Sequence, residues 1–365
     1  MDAPTDAPDG APIEARLRLL NDWQHDFPLC ADPFGVLADA TGLERGAVLR
    51  TLAQAQHDGR VSRIGGVFAH GAGGDAVLAA MAVPAERIEP VAALVSAHPG
   101  VNHNYLREHH YNLWFVMTGT HAEAVEAGVA ALERATGLPA LRLRMLRPYR
   151  IDLGFDLRGT TAPRPMRRPA DGPTAGSTTN PAPLPRPQPL PAALWPLAQR
   201  VEAGLSLIER PFAAWGRETN MGEDAVTAQL RRWLAEGRLQ RFGVVVRHHE
   251  FGFDANAMTV FDVPDDQVDV CGQTLAEQTG VTLAYRRTRA DGWPYNLYAM
   301  VHGKNRSAVL AVIERVTQAA GLARHPREVL FSTRRFKQTG ARRFRGWADA
   351  PATAPLQEVP HALAR

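Results

Sequence analysis

Hydrophobic positions along the chain change period in a fixed order, and the order occurs twice. The segment ARLRLLNDWQ carries Leu17, Leu20 and Trp23 at helical spacing, which predicts a short amphipathic helix. PFGVLADATGL predicts a second helix ending at Gly42, and residues 44–56 predict a third with Val48, Leu49 and Leu52 inward. Helix, turn and helix followed by GRVSRIGGVF is a winged-helix pattern. Alternation then sets in. AVLAAMAVP reads as a strand, residues 88–97 as a helix, VNHNYLREH and YNLWFVMTG as a hairpin-like strand pair, residues 122–136 as a helix and ALRLRMLRPY as a last strand. The order β-α-β-β-α-β is ferredoxin-like.

The second half repeats the reading. MGEDAVTAQLRRWLAEGRLQRFGVVV supplies helices and strand; NAMTVFDVP, residues 266–278, VTLAYRRT, YNLYAMVHG, residues 307–320 and EVLFST follow in ferredoxin-like order. Letters match as well as patterns. SRIGGVFAH answers QRFGVVVRH, GVNHNYLRE answers GVTLAYRRT, and YNLWFVMTG answers YNLYAMVHG, in the same order. Ordered self-similarity of this kind marks an internal duplication. The expected fold class is therefore α+β, a tandem duplication of a winged helix-turn-helix plus a ferredoxin-like (βαββαβ) domain. The expected divisions are a tail at 1–12, a winged helix at 13–70, a ferredoxin-like domain at 71–157, a linker at 158–191, a second winged helix at 192–250, a second ferredoxin-like domain at 251–348 and a tail at 349–365. The linker, RGTTAPRPMRRPADGPTAGSTTNPAPLPRPQPLP, is too poor in bulky apolar residues to form a core and reads as extended.

Composition narrows the chemistry. With 365 residues, 45% of them hydrophobic, each unit can bury a core. The two cysteines, Cys30 and Cys271, fall one per half without CxxC spacing. A disulfide scaffold, a zinc finger and a cysteine-held iron–sulfur cluster are thereby excluded, and a reducing cytoplasm is expected. The start MDAPTDAPDGAP lacks the features of a secretory signal, and no apolar run of about 18 residues predicts a membrane span. A net charge of +3 is too small to argue for nucleic acid. Residues 331–345 nevertheless hold Arg334, Arg335, Lys337, Arg342, Arg343 and Arg345 and no acid. That run is either a solvated basic tail or a surface for something anionic.

A winged helix followed by a ferredoxin-like domain resembles the Lrp/AsnC transcription regulators, which implies DNA binding. The recognition helices, however, begin Leu43-Glu44-Arg45-Gly46 and Gly222-Glu223-Asp224-Ala225. Acids at the groove-facing end repel phosphate, so DNA binding is not expected. The histidines point to an enzyme instead. His103, His109 and His110 flank the paired strands of the first half; His248 and His249 follow RFGVVVR, and His302 closes YNLYAMV. Histidine is the usual proton carrier near neutral pH. No HExxH or HxxxH spacing with a carboxylate partner occurs, so no dedicated metal site is expected.

HHYNLWFV and RFGVVVRHHEFGFDANAMTVFDVP carry a more specific resemblance, to the two subunit types of siroheme decarboxylase. It covers both folded halves. It implies removal of CO2 from the C12 and C18 acetate side chains of siroheme, giving 12,18-didecarboxysiroheme in heme d1 biosynthesis. It further implies no added cofactor and an essential pair of histidines. The residue types suit an anionic, flat macrocycle, which needs arginines at its rim and aromatic walls. Arg107 matches Arg287 across the repeat, Arg63 matches Arg241, Tyr105 matches Tyr285 and Tyr111 matches Tyr295. Trp114, Trp293 and Phe115 either face the ring or fill an ordinary core.

The expected proton donors are His110 and His249, with His109 and His248 as the alternatives beside them. These alternatives, with Arg107, Arg287, Tyr111, Tyr295, Arg63, Arg241, Trp114 and His302, are the expected substrate contacts; His70 is a lesser candidate. A histidine contact to the substrate's iron stays open. His110 aligns with Pro294 and His249 with Gly71, so each half lacks the histidine that the other keeps. Specialised halves follow, packed as a pseudo-heterodimer, with either one site built across them or two unequal sites. A further homodimer is open, and a non-catalytic carrier of siroheme or haem is the competing reading.

Overall fold

The computed structural model describes residues 13–151, 154, 157, 187–247 and 255–347. The expected tails at 1–12 and 349–365, most of the linker, His248 and His249 lie outside the described residues. Three short helices open the chain: α1 (Ile13–Asn21), α2 (Pro33–Thr41) and α3 (Arg45–His57). The Asp32 side chain accepts from the Gly35 N–H at the start of α2, and Gly42 stops that helix at φ 73°. Strand β1 (Val61–Phe68) follows. Then come β2 (Asp75–Met81), α4 (Ile88–Ala97), β3 (Val101–Arg107), β4 (Leu113–Gly119), α5 (Ala122–Thr136) and β5 (Ala140–Ile151). The second series is α6 (Trp195–Ala203), α7 (Pro211–Thr219), α8 (Glu223–Ala235), β6 (Leu239–Val246), β7 (Ala255–Phe261), α9 (Val268–Ala276), β8 (Val281–Arg287), β9 (Leu297–Gly303), α10 (Arg306–Ala319) and β10 (Arg327–Gln338).

The strand after each helix triad differs from the local wing that the sequence pattern predicts. β1 pairs antiparallel with β6 of the other half, with Gly65 opposite Gly243. Backbone from each half also runs along the other's strand: Val244 N–H donates to Trp23 O (2.8 Å), and Leu205 N–H donates to Ile64 O (2.7 Å). That close approach explains the matched glycines. A Cβ on Gly243 would collide with the carbonyl oxygens of Trp23 and Gln24, and one on Gly65 would lie 2.7 Å from Val201 O. One apolar core then serves both helix triads, joining Leu19, Phe34, Leu52 and Ile64 to Val201, Phe212, Trp233 and Phe242. Leu190, at the end of the expected linker, is buried in the same core.

The remaining eight strands close a barrel in the order β10-β3-β4-β2-β5-β8-β9-β7. Each last strand is twelve residues long and does two jobs. Residues 140–144 of β5 pair with β2, and residues 145–151 cross to β8. β10 likewise pairs first with β7 and then with β3. The helices pack outside, over separate cores beneath α4–α5 and α9–α10. Both hairpins, β3–β4 and β8–β9, turn at one end of the barrel, the hairpin end. The strands that enter from the helix triads start at the opposite end, the base.

The basic run at 331–345 is not a loose tail: it runs along β10 and several of its cations are tied to the first half. Arg334 pairs with Glu89, and Lys337 Nζ donates to Ser96 O (2.7 Å) and His98 O (3.3 Å). Arg343 Nη1 donates to Phe68 O and Ala69 O (3.3 and 3.2 Å). Phe344 enters the helix-triad core, and Trp347 fills a socket left open by Gly100, Gly119 and Gly128. The second half thus clamps the first. The Gly65–Gly243 crossing should tolerate no side chain. Gly243→Ala is expected to destabilise the fold by roughly 2 kcal/mol or more, whereas Gly222→Ala, which meets nothing within 4 Å, is expected to change little. Urea melts of the two variants check this.

Candidate active site

The alternation of β3 sends His103, Tyr105 and Arg107 to the inside of the barrel, and that of β8 sends Leu283, Tyr285 and Arg287 there. The apolar lining comes from both halves: Leu78, Trp114 and Leu143 meet Met258, Trp293, Tyr298, Met300 and Leu330. Two cations lie within it. Arg107 is 7% exposed and Arg287 6%. Arg107 Nη1 donates to Leu330 O (2.9 Å) on β10, and Arg287 Nη1 donates to Leu143 O (2.8 Å) on β5. Each arginine therefore reaches a carbonyl of the opposite half. The Nε of both is buried without a partner, and among the described residues neither forms an ion pair. Each guanidinium instead lies over tyrosine, Arg107 5.6 Å from the Tyr105 ring and Arg287 4.5 Å from the Tyr285 ring. Burial pulls the Arg107 pKa down to about 10, partly offset by Tyr105 and Tyr285, so it is still charged at neutral pH.

Over these arginines sit the two hairpin turns. The matched YN dipeptides hold them. Asn112 Oδ1 accepts from Val83 N–H (2.9 Å) while its Nδ2 donates to Val83 O (2.8 Å). Asn296 does the same with Val263, at 3.0 and 2.9 Å. Sequence reasoning missed both asparagines, although their place beside matched tyrosines was the available signal. The second turn is longer, and its extra residues form a tight loop closed by Ala290 and Trp293. Trp293, 1% exposed, packs against Tyr111 (5.9 Å), Trp114 (5.1 Å) and Tyr295 (4.9 Å), and its Nε1–H donates to Tyr298 Oη (2.7 Å). Trp114 and Phe115 are buried too; Phe115 belongs to the helix-side core, not to the barrel interior.

His109 is half-buried at this end, edge-on to Trp293 at 5.3 Å. Its Nδ1 accepts from Tyr111 N–H (3.0 Å), so the neutral ring carries its proton on Nε2. Burial lowers its pKa, with Glu328 opposing. His110 is exposed and touches the Tyr111 ring at 5.2 Å. Tyr295 is pushed up by burial and by the charges of Glu328 and Asp262. Tyr298 and Glu328 complete this end and were not singled out in the sequence.

Other expected site residues lie elsewhere. Arg63 sits at the base, between β1 and the barrel, near Gly340. Arg241 is buried among the helix triads and donates to Gln24 O (2.8 Å). His302 shares the inner face of β9 with Tyr298 and Met300, but at the base, where its Nδ1 meets Thr282 Oγ1 (2.9 Å). His70 lies in the β1–β2 turn. His248 and His249 lie outside the described residues. Ala255, opposite Gly303, is at the base, and His110 is at the hairpin end. Among the described residues no group of three or more His, Cys, Asp or Glu could hold a metal ion.

Helix triads on a shared barrel with a cationic, aromatic interior define an AsnC-like ligand-binding protein that carries helix-turn-helix units. Residues 72–150 and 250–337 match the AsnC-like ligand binding domain, and residues 17–61 match the siroheme decarboxylase NirDL-like HTH domain. The chain is 39% identical over 327 residues to the siroheme decarboxylase NirDL subunit of Paracoccus pantotrophus, covering 89% of this chain and 96% of that one. It is also 52% identical over 140 residues to the NirD subunit of Stutzerimonas stutzeri, 38% of this chain and 92% of that subunit. Among solved structures, siroheme decarboxylase NirDL in complex with an iron-uroporphyrin III analogue matches at a TM-score of 0.61 and 29% identity, over 91% of this chain and 94% of that one. The chain belongs to the siroheme decarboxylase family.

The buried imidazoles carry a pH signature. Burial holds His103 at about 4, well under the ordinary 6.5, with Arg63 contributing. The unfolded chain then binds more protons between those values, so stability falls as pH falls from 6.5 toward 4. Urea melts at pH 7 and pH 5 should show that loss, and His103→Gln should lessen it.

Proposed function

We propose that this chain removes CO2 from the C12 and C18 acetate side chains of siroheme, yielding 12,18-didecarboxysiroheme on the way to heme d1. One observation carries this reading: matched strands of the two halves place two charged, acid-free arginines inside one aromatic-walled barrel. Siroheme brings eight carboxylates on a flat apolar ring, and buried guanidinium groups without an acid partner are suited to such a ligand. A NirDL relative has been solved with an iron-uroporphyrin III analogue, a macrocycle of the same class.

Cleavage of the acetate C–C bond leaves its electron pair on a methylene conjugated with the pyrrole, as CO2 departs. That carbon must take a proton to become methyl. The proposed donors are His110 and His249, with His109 and His248 beside them. His109 already directs an N–H from Nε2, and substrate carboxylates brought near it would raise its depressed pKa. Arg107 and Arg287 hold the carboxylates that stay and orient the one that leaves. We read the halves as a tandem duplication that packs as a pseudo-heterodimer, each half supplying what the other lacks. No cofactor enters this scheme, and DNA is not the ligand. Among the described residues no helix is long and apolar enough to cross a membrane. We place the reaction in the cytoplasm.

Anaerobic incubation with siroheme should give a product lighter by two CO2, read by mass spectrometry; bound but unchanged pigment would mean a carrier. Arg107→Leu and Arg287→Leu should each remain folded and weaken siroheme binding roughly tenfold or more, read by absorbance titration. His110→Ala and His249→Ala should each slow decarboxylation; a wild-type rate in both would refute the division of labour.

A further inference from the structure

The base of the barrel holds an imidazole that the proposed chemistry does not use. His103 lies on the inner row of β3, ahead of Tyr105 and Arg107. Its Nδ1 is 3.0 Å from Asn102 Oδ1, an atom that only accepts. The ring's proton is therefore on Nδ1, and the Nε2 lone pair points away from that bond. Among the described residues Nε2 has no hydrogen-bond partner, and it is not one of the fully enclosed unpaired atoms. A ring fixed through Nδ1–H to an oxygen, with Nε2 open, is the arrangement of a metal-binding histidine. His109 has the opposite tautomer, set by Tyr111 N–H, which suits a proton donor and not a ligand.

The neighbourhood supplies a second contact. Arg63, from β1, lies close enough to act on His103 electrostatically, and its Nε is buried without a partner. Its Nη1 faces the bare backbone of Gly340, where a Cβ would come within 3.0 Å. Arg63 Nη2 donates to Gly66 O (3.3 Å) and the guanidinium lies within electrostatic reach of Glu202, while its Nε stays free. A neutral nitrogen lone pair beside this cation fits one ligand that carries both a metal and peripheral carboxylates. The repeat does not duplicate this pair: His103 aligns with Leu283, and Arg241 donates to Gln24 O instead.

We propose that His103 is an axial ligand to the iron of the bound tetrapyrrole, through Nε2, with Arg63 pairing a rim carboxylate of the same molecule. The inference rests on the siroheme reading above and adds a site for the iron. It places the metal at the base of the first half, where the second half has leucine.

The test uses the full chain with ferric iron-uroporphyrin III, followed by absorption and electron paramagnetic resonance spectra. The wild-type complex should show an imidazole-ligated iron. His103→Gln, which keeps a polar side chain of similar reach, should lose that signature, and added imidazole should restore it. Arg63→Met should weaken pigment binding while leaving the iron spectrum unchanged. A His103→Gln complex that keeps the wild-type spectrum overturns the proposal, as does a loss of pigment binding that imidazole does not restore. Siroheme decarboxylation by wild-type protein, followed by mass spectrometry in parallel, separates the two readings. Turnover with an unaltered variant spectrum rejects the ligand alone, while neither binding nor turnover by the wild type rejects both.

Discussion

The fold depends on strand edges that neither half can satisfy alone. Each ferredoxin-like sheet ends in open edges at β3 and β5, or at β8 and β10, and unpaired edges invite foreign strands. The extensions of β5 and β10 cross the boundary and close both gaps, so the barrel has no free edge. The same exchange recurs among the helix triads, where β1 and β6 pair with each other. Once these crossings form, the halves cannot separate without exposing three ladders and the inner faces of both sheets. The clamp of Phe344 and Trp347 adds a further tie.

Closure also creates the chemistry. An inner sheet face that would be a flat, half-wet surface in one copy becomes an enclosed interior when two copies meet. Arg107 and Arg287 are buried only because the other half's strand lies over them and offers a carbonyl. Burial without a counterion is unfavourable to the empty protein and makes an anionic ligand the natural partner. Stability is thus given up locally where binding gains from it. The barrel is also polarised along its axis. Proton-bearing His109 and exposed His110 gather at the hairpin end, and the open Nε2 of His103 lies at the base.

Near-symmetry and its failures carry equal weight. The YN dipeptides, the inner tyrosines and the arginines recur because each maintains the same hairpin or the same cross-half contact. Departures fall where the halves do different work. The added turn of the second hairpin drives Trp293 onto Tyr111 and Trp114 of the first half. Gly128 leaves a socket for Trp347, whereas Val312 occupies the corresponding space beside Gly280.

Much of this was legible in the sequence. Hydrophobic period located the helices; Ile88–Ala97 and Ala122–Thr136 lie where the pattern puts them. Period reports which face of a local element is apolar, and repeated letters report which positions share a constraint. That sufficed for the matched arginines and tyrosines. What period cannot report is the partner that covers a face. The strand read as a wing pairs across halves, the basic run at 331–345 is a clamp, and Arg241 and Arg63 part company despite matching letters. Asn112 and Asn296 act through backbone remote in sequence, which no local pattern encodes. The depth of Arg107 and the tautomers of His103 and His109 exist only when the chain has closed on itself, because burial and hydrogen-bond direction are properties of neighbours brought in from elsewhere.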